Sequence, residues 1–315
     1  MAIPGEQAAV AVDVGGTKIA AGIVTAEGEV RSRARLDTPN GSGDELTKAV
    51  LTAVGGLGAA AEGLPVGIAA AGLVDRRGAV RYSPNLAWVD YPLQETLAGR
   101  LDRPVVVEND ANAAAWAEYR FGAASSARVG AVMITVGTGI GGGLVVDDRL
   151  ARGANGLGAE FGHMIVAEGG RRCPCGNHGC WEAMASGTAI GRVAREWRAK
   201  GLVPTDSPLA RAGGMTGAVV GSAAREGDET ATAVLAECGQ WLGVGLASLV
   251  NALDPETIVI GGGAASLGDL LIGPATASCH ERVMGRAHRR LPLIREAVLG
   301  EDAGLIGAAL LALEA

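Results

Sequence analysis

Short apolar runs that end in glycine-rich turns recur along the chain. Residues 8–14 form one such run, and they lead through Asp13-Val-Gly-Gly-Thr-Lys18 into a second apolar run at 19–24. Residues 132–136 repeat the pattern, because they lead through Gly137-Thr-Gly139 into another run at 144–146. Each unit predicts two strands joined by a tight glycine turn. The repetition predicts two related halves that face each other across a cleft.

Strand and helix patterns alternate through the rest of the chain. Strands are predicted at 66–70, 105–108 and 257–260, and the last one leads into a third glycine turn, Gly261-Gly262-Gly263-Ala264. Helices are predicted at 43–62, 93–101, 186–200, 215–225, 228–253 and 303–313, and a further helix is predicted to follow Asn109-Asp110-Ala-Asn112 and to reach about Phe121. This alternation predicts an α/β protein. We place a domain boundary near Gly122, which gives a small domain at 1–122 and a larger one at 123–302, with 303–315 packing back on the first.

The charge balance is mildly acidic and excludes some classes of partner. The 315 residues include 27 Lys and Arg against 34 Asp and Glu, and no basic run stands out. This argues against nucleic acid or an anionic membrane as the main partner. No secretory signal precedes the first strand, and we expect charges to interrupt every apolar stretch before it reaches membrane-spanning length. These features predict a cytoplasmic protein.

Three of the five cysteines lie within eight residues of each other, at Cys173, Cys175 and Cys180. Thiolates at this spacing, separated by glycines that permit tight turns, suit a tetrahedral zinc ion. The fourth ligand is His163 or, as a competitor inside the loop, His178. Four protein ligands leave no open position for water, so the zinc is expected to be structural. The other two cysteines, Cys238 and Cys279, are expected to be small buried residues in helices.

Acidic residues flank the cysteine loop and suggest a role beyond stabilisation. Glu160 and His163 are spaced i, i+3, so they share a face if the segment is helical. A zinc-bound histidine still has a second ring nitrogen that can face a ligand. Together with Glu182, these side chains predict a wall that binds a polyol.

The first glycine turn is a candidate phosphate site. It is neither a Walker A loop nor a Rossmann fingerprint, because a strand rather than a helix follows it. Its main-chain amides at Gly15 and Gly16 can still hold phosphate, with Thr17 and Lys18 as side-chain donors. Asp13 could orient Mg²⁺ through water. The alternative is an ordinary β-hairpin.

Six motifs in order resemble the ROK family of bacterial sugar kinases and repressors, within the actin-like ATPase (ribonuclease H-like) superfamily. They are DVGGTK at Asp13, ENDAN at Glu108, TVGTGIGGG at Thr135, GAEFGH at Gly158, CPCGNHGCWE at Cys173 and GGG at Gly261. The resemblance implies a two-domain fold with a cleft between the domains. Repressors of this family carry a helix-turn-helix domain ahead of the first turn, and only twelve residues precede Asp13 here, so we expect a kinase rather than a repressor.

The resemblance also implies roles for individual residues. It makes Asp110 the catalytic base, although an Asp directly before a helix is also a favoured N-cap with a pKa lowered by the helix dipole. It assigns zinc to His163 and the three loop cysteines rather than to His178. The implied sugar contacts are Asn85, Asn109, Asp110, Glu160, His163 and Glu182. The implied nucleotide contacts are Asp13, Gly15, Gly16, Thr17, Lys18, Gly137, Thr138 and Gly139, with adenosine at Gly261, Gly262, Gly263 and Ala264.

Among family members, the chain is most similar to ATP-dependent glucokinases. The implied reaction is Mg²⁺-assisted transfer of the γ-phosphoryl group of ATP to the 6-hydroxyl of glucose, an early step of glycolysis, by a homodimer or homotetramer. A kinase for another hexose, such as fructose, mannose, N-acetylglucosamine or N-acetylmannosamine, is the alternative enzyme. A sugar-responsive regulator without catalysis is the alternative from another class.

Overall fold

A computed structural model describes residues 7–315, which divide into two compact units. The first unit contains the described residues up to Ser126 together with Gly143–Ala159 and Val298–Ala315. The second unit contains Ala127–Gly142 and Glu160–Ala297. The chain therefore passes between the units four times along its length.

Strands and helices alternate within the described range, as an α/β fold requires. The strands are β1 Ala8–Val14, β2 Lys18–Thr25, β3 Val30–Asp37, β4 Val66–Ala70, β5 Leu73–Val74, β6 Val80–Tyr82, β7 Val89–Tyr91, β8 Val105–Asn109, β9 Gly130–Val136, β10 Ile140–Val146, β11 Arg149–Leu150, β12 Thr257–Gly261 and β13 Leu293–Glu296. The α-helices are α1 Gly43–Gly55, α2 Leu93–Leu101, α3 Asp110–Arg120, α4 Trp181–Ala185, α5 Gly187–Ala199, α6 Pro208–Arg211, α7 Gly217–Arg225, α8 Glu229–Leu253, α9 Asp269–Arg282 and α10 Ala303–Leu313.

The two large sheets have equivalent strand orders. The first is β3-β2-β1-β4-β8, and the second is β11-β10-β9-β12-β13. In the first, β1 is antiparallel to β2 and parallel to β4, which is parallel to β8. In the second, β12 is parallel to both β9 and β13. The repeated strand–turn–strand pattern in the sequence therefore marks a repeated sheet topology, with each glycine turn following the central strand.

The first sheet separates large from small side chains. On β1, Val10, Val12 and Val14 belong to the apolar core that includes residues of α1 and α2. The alternating residues of β1 point to the opposite face because side chains along a strand alternate. There, Ala11 is the register partner of Gly67 on β4. This face of small residues allows a helix to approach the sheet closely.

Helix α10 occupies that face and is buried along almost its whole length. A Cβ added to Gly67 would collide with the carbonyl of Ala308 on α10. A Cβ added to Gly307 of α10 would likewise collide with the carbonyl of Ala113 on α3. These contacts pack α10 against the first sheet and against α3. Only glycine leaves enough room at the two positions.

The sequence located most of the elements that follow a regular pattern. The limits of α2, β1, β4 and α10 are the predicted ones. Helix α1 ends earlier than expected, at Gly55, and a short 3₁₀ turn follows at Gly58–Ala61. The sequence analysis missed β3, the small sheet β5-β6-β7, helix α9 and β13. Cys238 and Cys279 are buried in α8 and α9, as predicted.

Helix α8 corrects one expectation about the chain. Its 25 residues are long and apolar enough to cross a membrane by length and composition, so charges do not interrupt every apolar stretch. Within the protein, however, 61% of its most apolar window is buried. Gly239 and Gly243 of α8 lie against the carbonyls of Leu271 and Ala275 on α9. These contacts are those of a helix packed in the interior of a protein.

The two compact units differ from the predicted division by a few residues at 123–126 and 298–302 and in one longer segment. Residues 143–159, which the sequence analysis placed in the larger domain, group with the first unit. Gly143 lies against α3, where an added Cβ would collide with the side chain of Ala115. The limits 1–122 and 123–302 remain a prediction for the domains as functional parts.

We expect Gly67→Ala to destabilise the first unit, because the new methyl group would collide with the main chain of α10 and the helix would have to move. Overpacking of this kind costs about 1–3 kcal/mol. Thermal unfolding followed by circular dichroism measures the effect. Gly99→Ala is the matched control, since no atom lies within 4 Å of its added Cβ in helix α2 and alanine favours a helix by about 0.5–1 kcal/mol. Equal unfolding midpoints for the two variants would contradict the close packing.

Candidate functional site

The first glycine turn joins β1 to β2, and main-chain hydrogen bonds fix its shape. The amide of Gly15 donates to the carbonyl of Lys18 at 3.0 Å. Thr38, after β3, holds the turn from the other side. Its amide donates to the carbonyl of Thr17 at 3.1 Å, and its hydroxyl donates to the carbonyl of Gly15 at 2.7 Å. The backbone of the turn is therefore set in place by the protein.

Asn85, a predicted sugar contact, lies beside this turn. A Cβ on Gly16 would be 3.0 Å from the Cβ of Asn85, a separation that forces neighbours to shift. Glycine at position 16 therefore allows the segment with Asn85 to approach the turn. The structure brings this predicted sugar contact and the predicted phosphate turn together within the first unit.

Two carboxylates of the first unit, Asp13 and Asp110, influence each other. Burial raises the pKa of Asp13 to about 7, and the negative charge of Asp110 adds to the effect. The ammonium of Lys18 acts in the opposite direction, and the carboxylate of Glu301 reinforces the increase. Carboxylates that repel each other in a buried setting favour a cation or a proton nearby.

Asp110 is the first residue of helix α3, and Asn109 is the N-cap. The side chain of Asn109 accepts a hydrogen bond from the amide of Asn112 at 2.9 Å. The N-cap role considered for Asp110 is therefore wrong. The expected lowering of its pKa is also wrong, because burial raises the pKa of Asp110 although the amide of Ala111 donates to it at 3.0 Å. The carboxylate of Asp110 therefore does not cap the helix.

Asn109 holds Asp110 in place as well as capping the helix. Its Nδ2 donates to Oδ1 of Asp110 at 3.2 Å and to the carbonyl of Gly72 at 2.9 Å. The side-chain amide of Asn109 is therefore largely engaged within the protein, which reduces its capacity for the predicted sugar contact.

Glu108 is a residue of the site region that the sequence analysis named without a role. Its side chain is 5% exposed and forms an ion pair with Arg152. It also accepts hydrogen bonds from the amide of Asn109 and from Nδ2 of Asn112, each at 3.0 Å. A buried carboxylate with this many donors is stable and fixes the end of β8, where Asp110 follows. The position of Glu108 directly before Asn109 was the sign in the sequence that it belongs to this region.

In the second unit, the structure brings together the four residues predicted to bind zinc. The ligand atoms of His163, Cys173, Cys175 and Cys180 all lie within 4.8 Å of one another. His163 presents Nδ1 to the cluster, 3.8 Å from Sγ of Cys173. Four ligands around a tetrahedral zinc with bonds of about 2.3 Å would be about 3.8 Å apart. His178 is outside the group and is exposed in the loop.

The cysteine loop itself supports ion binding. Gly176 and Gly179 have φ values of +100° and +75°, which side chains other than glycine adopt rarely. A main-chain hydrogen bond from Asn177 contributes most to lowering the pKa of the Cys175 thiol to about 7, whereas burial raises the pKa of the Cys173 and Cys180 thiols. A thiol that ionises near neutral pH is a ready metal ligand. Arg171 anchors the loop to α5, with bonds of 3.3 and 2.8 Å to the carboxylate of Glu196.

The predicted polyol wall is assembled in part next to this cluster. Glu160 immediately precedes a 3₁₀ turn that contains His163, and its Oε2 is 4.0 Å from Nε2 of His163. The histidine therefore presents one nitrogen to the thiols and the other to Glu160. Glu182 is placed differently, because its Oε2 accepts a hydrogen bond from the amide of Ile140 at 3.0 Å and its Oε1 lies 3.7 Å from Sγ of Cys173.

The second glycine turn is fixed from helix α5. The amide of Gly137 donates to the carbonyl of Gly139 at 2.9 Å. The amide of Gly187 donates to the carbonyl of Gly137 at 2.8 Å, and the hydroxyl of Thr188 donates to the carbonyl of Thr138 at 2.7 Å. The start of α5 thus supports the turn directly.

A cavity of about 660 Å³ within the second unit joins the second and third glycine turns. Gly137, Thr138, Gly263 and Ala264 line it, as the sequence analysis expected of nucleotide contacts. The third turn reaches it because Gly262 has φ +81° and the amide of Ala264 donates to the carbonyl of Val136 at 2.8 Å.

Several residues that line this cavity were missed by sequence reasoning. They are Thr188, Arg195, Thr216, Arg225, Ser266 and Leu267. The two arginines stabilise the walls, since Arg195 donates to the carbonyl of Met215 at 2.6 Å and Arg225 to that of Ser266 at 2.8 Å. The capping residue Thr216, which accepts from the amide of Val219, was the one local signal in the sequence.

The chain is similar to several known proteins over nearly its whole length. The glucokinase of Streptomyces coelicolor is 42% identical over 311 residues, which cover 97% of each chain. The N-acetylmannosamine kinase of Yersinia pseudotuberculosis is 34% identical over 95% of this chain and 96% of the relative. The crystal structure of a ROK family glucokinase from Streptomyces griseus in complex with glucose and AMPPNP superposes with a TM-score of 0.85, 40% identity and coverage of 98% of this chain and 100% of that one.

The family assignment follows from the extent of these similarities. The model of the ROK family matches residues 9–315. The six motifs found in the sequence are spread across that same range. The chain belongs to the ROK family.

Proposed function

We propose that this protein is an ATP-dependent glucokinase, which transfers the γ-phosphoryl group of ATP to the 6-hydroxyl of glucose. The observation that carries the proposal is its similarity, along nearly the whole chain, to glucokinases, one of which binds glucose and AMPPNP. The two phosphate turns, the large cavity of the second unit and Asp110 supply the groups that such a reaction needs.

Asp110 is proposed as the base that accepts the proton of the sugar hydroxyl. Burial raises the pKa of the Asp110 carboxyl, which favours proton uptake. In a loose phosphoryl-transfer transition state the hydroxyl loses its proton late, so orientation matters as much as basicity. Asn109 and Glu108 provide that orientation by fixing the start of α3.

The nucleotide is proposed to bind through the two phosphate turns and the cavity of the second unit. The amides of Gly16 and Gly139, with Thr17, Lys18 and Thr138, would contact the phosphates, while the amide of Gly15 holds the shape of the first turn through its bond to the carbonyl of Lys18. Adenosine would lie along Gly261, Gly262, Gly263 and Ala264. The raised pKa of Asp13 fits a position near Mg²⁺, which when bound neutralises phosphate charge.

One structural zinc ion per chain is proposed at His163 and the three cysteines. Nitrogen and sulfur donors at these separations are the ligand set of structural zinc sites. Binding through Nδ1 would fix the ring of His163 and leave Nε2 directed at Glu160, so both could contact the sugar. The remaining proposed sugar contacts are Asn85, Asn109 and Glu182.

The enzyme is proposed to act in the cytoplasm as a homodimer or homotetramer and to supply glucose 6-phosphate to glycolysis. All five cysteines are free thiols, as expected in a reducing compartment. The second candidate is an N-acetylmannosamine kinase, because a relative with that activity in its name is 34% identical.

We expect Asp110→Asn to reduce kcat at least about 100-fold, because loss of a general base costs about 10²–10⁴-fold. The affinity for glucose should change less than about tenfold, since the role is expressed in the transition state. A coupled assay of glucose 6-phosphate and calorimetric titration with glucose measure the two quantities. Asp102→Asn, at the exposed end of α2 with φ +50°, is the control. Residual activity above about one hundredth of wild type would refute the assignment.

Cys175→Ser should remove the zinc ion, whereas His178→Ala should retain it, because only Cys175 lies in the ligand cluster. Elemental analysis of the purified proteins measures the metal, and titration with glucose measures sugar affinity. Weaker glucose binding is expected in the cysteine variant because His163 is no longer held by the ion. A zinc-free protein with wild-type sugar affinity would contradict the coupling.

Glucose should give a higher kcat/KM than 2-deoxyglucose, because the missing hydroxyl leaves buried polar groups of the site unpaired. Such an unpaired group costs about 1–3 kcal/mol, or about 5- to 150-fold. N-acetylglucosamine should be poorer still if its acetamide meets the metal-bound loop. Rates across a panel that includes N-acetylmannosamine decide the assignment. If an N-acetylated sugar proves the best substrate, the glucokinase proposal fails and the family assignment remains.

A further inference from the structure

Lys18 has a partner in the first unit that the proposed reaction does not account for. Its Nζ lies 2.6 Å from Oε2 of Glu301, which belongs to a short 3₁₀ turn, Gly300–Asp302, directly before α10. The side chain of Glu301 is 80% exposed, and that of Lys18 is 34% exposed. Lysine is flexible, so a fixed partner decides where its ammonium lies.

The segment that carries Glu301 is attached firmly to the rest of the first unit. Glu118, a fully buried residue of α3, accepts hydrogen bonds from the amides of Val298 and Leu299 at 2.9 and 2.8 Å. The same carboxylate accepts from the amide of Ala123 at 2.7 Å. A buried carboxylate with three main-chain donors is strongly held, and removing one partner would be costly. The turn with Glu301 therefore starts from a fixed point.

The other end of the segment is fixed as well. Asp302 forms a two-pronged pair with Arg33 on β3, with one of the two bonds at 2.8 Å. Gly304, in the first turn of α10, lies against the carboxylate of Asp13, and an added Cβ would be 2.7 Å from its Oδ2. The backbone at Glu301 thus lies between two anchored points. The side chain of Glu301 contacts Lys18 at the end of the glycine turn, and Gly304 contacts Asp13 at its start.

We propose that Glu301 is a positioning residue that holds the Lys18 ammonium in place for the phosphates of the nucleotide. This inference rests on the proposed function, in which Lys18 contacts phosphate. An ammonium has three donors, so one hydrogen bond to Glu301 leaves two for the ligand. The charge of Glu301 is well solvated and screened, so it repels phosphate only weakly.

The alternative is that Glu301 acts as a gate that keeps Lys18 from the nucleotide. The geometry favours the positioning role over this alternative. A gate must move away when the ligand arrives, yet the segment of Glu301 is anchored by Glu118, by Asp302 and by the packing of Gly304. The backbone of the glycine turn is itself fixed by Thr38. The flexible stem of Lys18 is not held by the main-chain bonds of the turn, and its hydrogen bond to Glu301 restricts it before the nucleotide binds.

The test compares Glu301→Gln with wild type in the full-length protein. We expect the KM for ATP to rise about fivefold, while kcat and the KM for glucose stay within about twofold. Titration with Mg·AMPPNP should show a similar loss of affinity, and it does not depend on which sugar is phosphorylated. Glu29→Gln is the matched control, because Glu29 also pairs with an exposed arginine, Arg31, at 3.3 Å. Its parameters should equal those of wild type.

A double-mutant cycle with Lys18→Ala tests whether Glu301 acts through Lys18. In the Lys18→Ala background, Glu301→Gln should have no further effect on AMPPNP affinity. Glu301→Asp, which keeps the charge on a shorter side chain, should recover part of the loss. Unchanged affinity in Glu301→Gln, tighter binding, or an equal effect in both backgrounds would overturn the proposal. Absence of glucose phosphorylation by the wild type would instead refute the proposed function, and the titration would still report on Glu301.

Discussion

The close approach of helix α10 to the first sheet is the constraint on which the first unit depends. The helix fits because one face of β1 and β4 carries only alanine, glycine and Asp13, whereas the other face carries valine and isoleucine. Dispersion and the burial of apolar surface then favour direct contact between the main chains of the helix and the sheet. The same helix touches α3 at Ala113 and the Asp13 carboxylate at Gly304. The packing of this one helix therefore helps to position both Asp13 and Asp110, the two carboxylates that are proposed to act in the reaction.

In the second unit, direct contacts connect the cysteine cluster, the carboxylate of Glu182 and the second glycine turn. Glu182 reaches Cys173 with one oxygen and the amide of Ile140 with the other, so it connects the ligand cluster to the end of the second glycine turn. Arg171 connects the same loop to α5, whose first residues support that turn. A proposed sugar contact and a proposed phosphate contact are thus connected within the second unit. This explains why a loop without regular secondary structure can hold side chains precisely.

Local sequence patterns predicted much of the fold because glycine turns, apolar runs and helix caps act over short distances. The grouping of His163 with the three loop cysteines could also be predicted, since the cysteines have a spacing that few functions other than metal binding require. Strand β3 was missed although its alternation of arginine with Ser32, Ala34 and Leu36 is the pattern of a half-exposed edge strand. The alternation was present in the sequence, but the charged residues of this segment made it hard to recognise as a strand.

What could not be predicted depends on contacts between distant parts of the sequence. No local pattern shows that Glu118 would bind the amides of Val298 and Leu299, or that Glu301 would meet Lys18. The position of Asp110 is a subtler case, because both it and Asn109 are good capping residues and only the structure selects Asn109. The alternation of small and large residues on β1 was visible, but its meaning required knowledge of the helix that covers it.

The place of α10 in the sequence has a consequence for biosynthesis. Strands β1 and β4 leave the ribosome long before α10, so their face of small residues stays uncovered while residues 160–297 are made. The second unit can thus be completed first, although the first unit was begun earlier. Closing so long a loop adds little to the equilibrium cost of folding, because that cost grows only with the logarithm of its length. It slows folding instead, so one face of the first sheet stays uncovered until the end of synthesis.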